Sequence, residues 1–186
     1  MQVYANTYIS IVPNIPASEF KYVKNIDDKL LSLFNNTVEN NVEPITEYFF
    51  FKSKTFYRKK IYFKQGIILS NNIEIIRKLA YQIMINNGYK IKNKGYITMY
   101  KYKSTIDKLP ETDISNFRNK IIICTGNNNI DKCTIIINNS YIDFSGIAMN
   151  FMTGSCICLS EMLCYYMISI EGTGYINYID ISFEDL

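Results

Sequence analysis

The sequence contains no histidine and no tryptophan. Without histidine the commonest general base is missing, and neither a Ser–His nor a Cys–His nucleophilic pair can be built. No apolar run approaches the roughly 20 residues needed to span a bilayer. The opening "MQVYANTYIS" has no charged leader and no long apolar segment. Gly66, Gly88 and Gly95 fit neither G-x-G-x-x-G nor Walker spacing. There is no internal repeat. These absences predict a soluble, intracellular protein with no catalytic residues, no cofactor and no membrane partner.

Cysteine is present in an odd number: Cys124, Cys133, Cys156, Cys158 and Cys164. An odd count without a leader predicts reduced thiols. Cys156 and Cys158 form C-x-C, which on a strand puts both side chains on one face and Ile157 on the other. Zinc would need two further ligands from distant cysteines, so buried thiols are expected and no metal site. The carboxylates are scattered. Asp27-Asp28 falls on the polar side of a helix, and the terminal "FEDL" reads as a solvated acidic tail.

The chain is instead rich in Ile, Asn, Lys and Tyr, with 48% hydrophobic and 15% aromatic residues. That is globular composition, and A/T-rich codons account for much of the lysine and asparagine. The net charge of +3 conceals an asymmetry. Residues 52–103 carry 13 Lys or Arg and one acid, against a net −3 before them and −6 after them. A basic middle can meet an acidic partner or nucleic acid, or it can simply line solvent-facing strands.

Along the chain, residues 3–12 alternate as a strand that ends at Pro13. Ser18 is a suitable N-cap, and Phe20, Val23, Ile26, Leu30, Leu31, Phe34 and Val38 predict a helix over 18–39. Strand character follows over 48–64. "QGIILSNN" (65–72) reads as a turn, and 78–85 as a strand whose period also allows a helix. Further strands are expected at 89–103, 120–126, 132–138, 155–170 and 174–183, with "GTG" at 172–174 as a hairpin turn. The layout predicts an α+β protein: an RNP-like α/β domain over 1–88, then an OB-type β-barrel over 89–186.

The strongest binding signal is Tyr96, Tyr100 and Tyr102 interleaved with Lys90, Lys92 and Lys94. An aromatic strand face beside a cationic rim holds single strands by stacking and phosphate attraction. The competing reading turns those tyrosines into the core and the lysines to water.

The order of these segments resembles the stalk subunit of multisubunit RNA polymerases, of the eukaryotic seventh-subunit and archaeal subunit-E type, above all its poxvirus eighteen-kilodalton form. "YISIVPNIP" (8–16) is similar to that family's opening strand, "GIILSNNIEI" (66–75) to its tip, "LAYQIMINNGYKIKNKGYI" (79–97) to the entry of its barrel, and "GTGYINYIDISFEDL" (172–186) to its closing strand. The resemblance implies a non-catalytic polymerase subunit of virion and host cytoplasm. Gly66, Ile67, Ile68, Leu69, Ser70, Asn71 and Asn72 would dock on the polymerase core and its largest subunit, and Lys90, Lys92, Lys94, Tyr96, Tyr100 and Tyr102 would face nascent RNA. A viral host-factor-binding protein and a stand-alone single-strand-binding protein are the alternatives.

Overall fold

The structure, a computed structural model, describes residues 9–10, 20–23, 26–49, 52–103, 119–138, 147–159 and 165–186. In chain order the elements are β1 (Ile9–Ser10), β2 (Phe20–Val23), α1 (Asp28–Asn41), β3 (Glu43–Phe49), β4 (Lys52–Phe63), α2 (Asn71–Asn86), β5 (Ile91–Tyr102), β6 (Asn119–Asn138), β7 (Ile147–Asn150), β8 (Cys156–Leu159) and β9 (Tyr165–Asp185). Every recorded strand pair is antiparallel.

β6 and β9, of 20 and 21 residues, organise the fold. They pair along their whole length, from Asn119↔Phe183 to Asn138↔Tyr165. Register shifts at 124/126, 128/130 and 130/132 break the ladder midway. Bulges add bend and twist at such points, so each strand serves two layers. The first half of β6 and the second half of β9 lie in a large sheet ordered β3-β4-β5-β9-β6-β8-β2. Their other halves join β7 and β1 in a smaller sheet.

Alternation along the strands separates two cores. Ile121 and Ile123 of β6 pack with Ile179, Ile181 and Phe183 of β9 on the outer face of the large sheet, under both helices. Ile122 and Cys124 point the other way, into the space between the sheets, with Tyr178, Ile135, Ile168 and Phe151. Burying a side chain the size of Ile or Phe contributes on the order of 2 kcal/mol, so a one-residue slip of β6 would be prohibitive.

α1 begins where the Asp27 side chain accepts the Lys29 amide hydrogen at 2.8 Å. It buries Leu31, Phe34 and Val38 against the sheet. α2 buries Ile73, Ile76, Ala80 and Met84, a helical spacing.

Several sequence-based expectations are corrected. The architecture is a bent antiparallel sandwich with helices on one outer face, not an RNP-like α/β domain followed by an OB-type barrel. The sheet does not close: its path ends at β1 and β3, and among the described residues these two strands do not pair. β4 pairs with β5 from Tyr57↔Lys101 to Phe63↔Gly95, so one sheet includes strands from both sides of residue 88. The strand expected at 78–85 is part of α2, where the 3.6-residue period prevails over strand propensity. Helix starts at Asp28, and 20–23 is strand; Ser18 lies outside the described residues, as does most of 3–12. The expected hairpin at 172–174 is an uninterrupted part of β9. Gly172 there has φ +125°, and the backbone of β6 at Asn128 leaves no space for a Cβ on Gly174. The two strands expected at 120–126 and 132–138 are one bulged strand.

Candidate functional site

Between the sheets the core is not wholly apolar. Three side chains meet there from strand positions that alternation turns inward: Lys120 of β6, Asp180 of the second half of β9, and Tyr166 of its first half. Lys120 is 2% exposed and Asp180 4%. The Tyr166 hydroxyl donates to Asp180 Oδ2 at 2.7 Å, and Lys120 Nζ lies 3.4 Å from the same oxygen. The ammonium also sits 5.6 Å from the Tyr166 ring centroid. Ser182 Oγ donates to Asp180 Oδ1 at 3.4 Å.

A buried charge is costly unless paired and hydrogen-bonded. Asp180 meets that condition with three donors. Lys120 meets it in part: its ammonium has three hydrogens, and among the described residues its partner is one carboxylate oxygen at long range. Burial above all, and then the Asp180 charge, push the Tyr166 phenol well above its usual range, so it remains a donor.

Strand register extends the site outward. Lys60, Thr98 and Asp180 are successive cross-strand partners, and Tyr62, Tyr96, Ser182 and Lys120 form the next row. Directly opposed residues share a sheet face. A polar track therefore runs from exposed Lys60 and Tyr62 to buried Lys120. Lys60 Nζ lies 4.4 Å from the centre of the Tyr96 ring, and the Tyr62 and Tyr96 rings are 5.4 Å apart. Deeper in, Tyr100, Tyr102 and Tyr178 form a stack with centroids 4.8–5.7 Å apart.

The sequence-predicted residues divide among three places. Tyr100 and Tyr102 are core residues, 2% and 4% exposed, and neighbouring rings occupy their faces. Tyr96 is half-buried on the polar track. Lys92 and Lys94 gather on Glu184, at 3.7 and 3.1 Å, and Lys90 is exposed. Gly66, Ile67, Ile68 and Leu69 form the β4–α2 connection, Ser70 caps α2, and Asn71 and Asn72 are its first turn. Lys120, Asp180 and Tyr166 were not singled out by the sequence. The usable signal was a charged residue in the inward phase of an alternating strand: Lys120 shares its phase with Ile122 and Cys124, and Asp180 shares its phase with Ile176 and Tyr178.

No family model matches this sequence, and no curated protein matches it. Solved structures do. A 2-oxoglutarate–Fe(II) oxygenase-family oxidoreductase from Burkholderia pseudomallei matches with TM-score 0.65 and 10% identity, over 90% of this chain and 86% of its own. This chain has that fold. A Pseudomonas putida prolyl-4-hydroxylase follows at TM-score 0.59 and 8% identity, over 90% and 93% of the two chains. HygX from Streptomyces hygroscopicus, solved with nickel and 2-oxoglutarate bound, matches at 0.55 and 10%, over 90% and 83%.

The jelly-roll likeness overturns the expected resemblance to polymerase stalk subunits. The expected transcriptional role falls with it, and nothing supports the host-factor and single-strand-binding alternatives. The expectation of a non-catalytic subunit also loses its basis, because the matched fold is one that enzymes use. Among the described residues no helix is long and apolar enough to cross a membrane.

The iron of non-haem Fe(II) oxygenases is held by two histidines and a carboxylate. This chain contains no histidine. Among the described residues no three His, Cys, Asp or Glu side chains converge as a ligand set. Burial pushes the Cys133 thiol up to about 12, and burial raises Cys124 and Cys156 as well, so these sulfurs stay protonated. Asp180 is committed to Tyr166 and Lys120. The residues present do not fit that iron, and the chemistry of this site rests on the lysine, the carboxylate and the phenol.

Proposed function

We propose that the chain is a small-acid-binding form of this enzyme fold, taking a carboxylic acid between its sheets with Lys120 as the receiving cation. Lys120 carries the reading: it is the one buried Lys or Arg among the described residues, and its ammonium is incompletely paired. Transfer of an ammonium to such a place is tolerated when an anion answers it. Asp180 holds one of its hydrogens at long range, which leaves others for a carboxylate; Tyr166 and Ser182 donate to Asp180 and offset part of its charge.

The ligand class follows from the track and from the neighbours. Lys60 places a second cation at the exposed end of the track, three strand spacings or about 14 Å across the sheet from Lys120. Long side chains at both ends suit an acid with two charged ends. Two similar structures are described with 2-oxoglutarate, HygX and a viral collagen prolyl hydroxylase. A 2-oxo dicarboxylate is accordingly the first candidate.

The reading is tested by thermal unfolding and titration calorimetry of metal-stripped protein with 2-oxoglutarate, glutarate, succinate and acetate. A ligand at about 100 times its Kd stabilises by about 2.7 kcal/mol, which raises the melting temperature by several degrees. The dicarboxylates should do so, and Lys120→Met should abolish the shift. An unchanged midpoint with every acid, or an equal shift in Lys120→Met, refutes the assignment.

A further inference from the structure

We infer that the β4–α2 connection docks an acidic segment of another protein, one that carries an apolar anchor residue. The inference is independent of the interior site.

The connection is built to project. The Ile67 amide donates to the Lys64 carbonyl at 3.2 Å, closing a four-residue turn in which Gly66 adopts φ +90°. The chain then passes Ile67, Ile68 and Leu69 and enters α2 at Ser70. Ile68 is 94% exposed, and Ile75, one turn into the helix, is also exposed. Single exposed apolar residues are ordinary. These two differ because they line one open cleft of about 690 Å³, together with Ile67, Leu69, Arg77 and Lys78. A second cleft of about 520 Å³ is lined by Lys64, Tyr81 and by Lys92 and Lys94, which are already engaged with Glu184.

Charge selects the occupant. The acid in the first cleft, Glu74, is consumed internally. Its Oε1 accepts the Leu69 amide hydrogen at 3.2 Å, and its Oε2 accepts from Arg77 at 2.6 Å. Arg77 Nε remains buried without a hydrogen-bond partner. Lys64 and Lys78 are exposed with no ion pair among the described residues. Ser70 makes no side-chain capping bond, so the first-turn amides of α2 also stay available to a carboxylate. The balance is cationic donors around an aliphatic wall. A single-stranded nucleic acid requires rings on which bases stack, and the first cleft has only aliphatic and polar walls. An acidic peptide segment with a leucine-like or aromatic anchor matches both the charge and the wall.

The experiment selects random short peptides displayed on phage against the full chain, with Ile68→Asp and Lys78→Glu as separate counter-targets. Circular dichroism and melting confirm that both surface variants stay folded. The expected result is enrichment of net-acidic peptides with an apolar residue, whose affinity falls by about tenfold or more in either variant, the equivalent of ~1.4 kcal/mol. Binding should also weaken as salt rises. Failure to enrich any peptide overturns the inference. Enrichment of neutral or basic peptides, or of peptides that bind both variants as well as the parent, overturns it too. Displacement of the selected peptides by an oligothymidylate would reassign the surface to nucleic acid.

Discussion

The hydroxyl of Tyr166 donates to the carboxylate of Asp180 across 2.7 Å, and both residues belong to β9. They stand on opposite sheets, so a strand that changes layer is bonded to itself across the interior. Removing the donor leaves a buried acceptor short of a partner, which costs about 1–3 kcal/mol. Tyr166→Phe should therefore lower unfolding free energy by that amount in urea titrations while the far-ultraviolet spectrum stays unchanged. A loss below a few tenths of a kcal/mol would show that the bond does not hold the layers together.

Lys120 and Asp180 form a buried pair, and truncating one partner strands the other. Lys120→Met should cost about 3–5 kcal/mol, and Asp180→Asn a comparable amount. The double variant should recover a substantial part of the loss, because no unpaired charge remains. A double-mutant cycle by denaturant unfolding reads this coupling directly; additive losses would mean that the two groups do not interact.

Glu39 of α1 anchors the helix to the sheet. Burial opposes its ionisation, but hydrogen bonds from Asn177 and Lys101, and the Lys101 charge, outweigh that and hold its pKa below the usual value. Glu39 Oε2 accepts from Lys101 Nζ at 2.9 Å, and Oε1 accepts from Asn177 at 2.8 Å. A depressed folded-state pKa gives stability that is complete above the unfolded value and is lost as pH falls through the folded one. Acidification below the ordinary glutamate range, about pH 4.3, should thus destabilise the parent more steeply than Glu39→Gln. Melting temperatures of both across an acid series provide the measurement, and parallel curves would exclude Glu39 as a contributor.

Cys124, Cys133, Cys156 and Cys158 are buried thiols that form no disulfide with one another. With Cys133 raised to about 12 and Cys124 and Cys156 also raised, their thiolate fractions at pH 8 are negligible. Peptide mapping after iodoacetamide should find these four unmodified in native protein and fully alkylated in denaturant. Rapid labelling of any of them in the native state would contradict its burial.

Much of this was readable in local sequence. The C-x-C stretch behaves as alternation demands, with Cys156 and Cys158 in the core beneath the helices and Ile157 and Leu159 in the core between the sheets. Leu31, Phe34 and Val38 form the helical stripe they imply. The layer change was not readable, because Gly126 to Asn129 has the composition of a turn and is used for bulges within one strand. The strand order was hidden as well: Ile91 pairs with Asp185, far along the chain, and no local pattern encodes such a partner. The interior site escaped because Lys120 and Asp180 look like ordinary surface charges until the phase of each strand is fixed.

The pairing of β9 with both β5 and β6 bears on how the chain is made. During synthesis both helices, β4 and β5 leave the ribosome while the strand between β5 and β6 does not yet exist. The inner edges of β5 and β6 wait open, and contacts of such long sequence separation form slowly. Until residues 165–185 emerge, the nascent protein holds two incomplete half-sheets with exposed edges, the species most prone to pair with a neighbour. β9 is the strand that joins the halves, so folding of these sheets is gated by the arrival of residues 165–185.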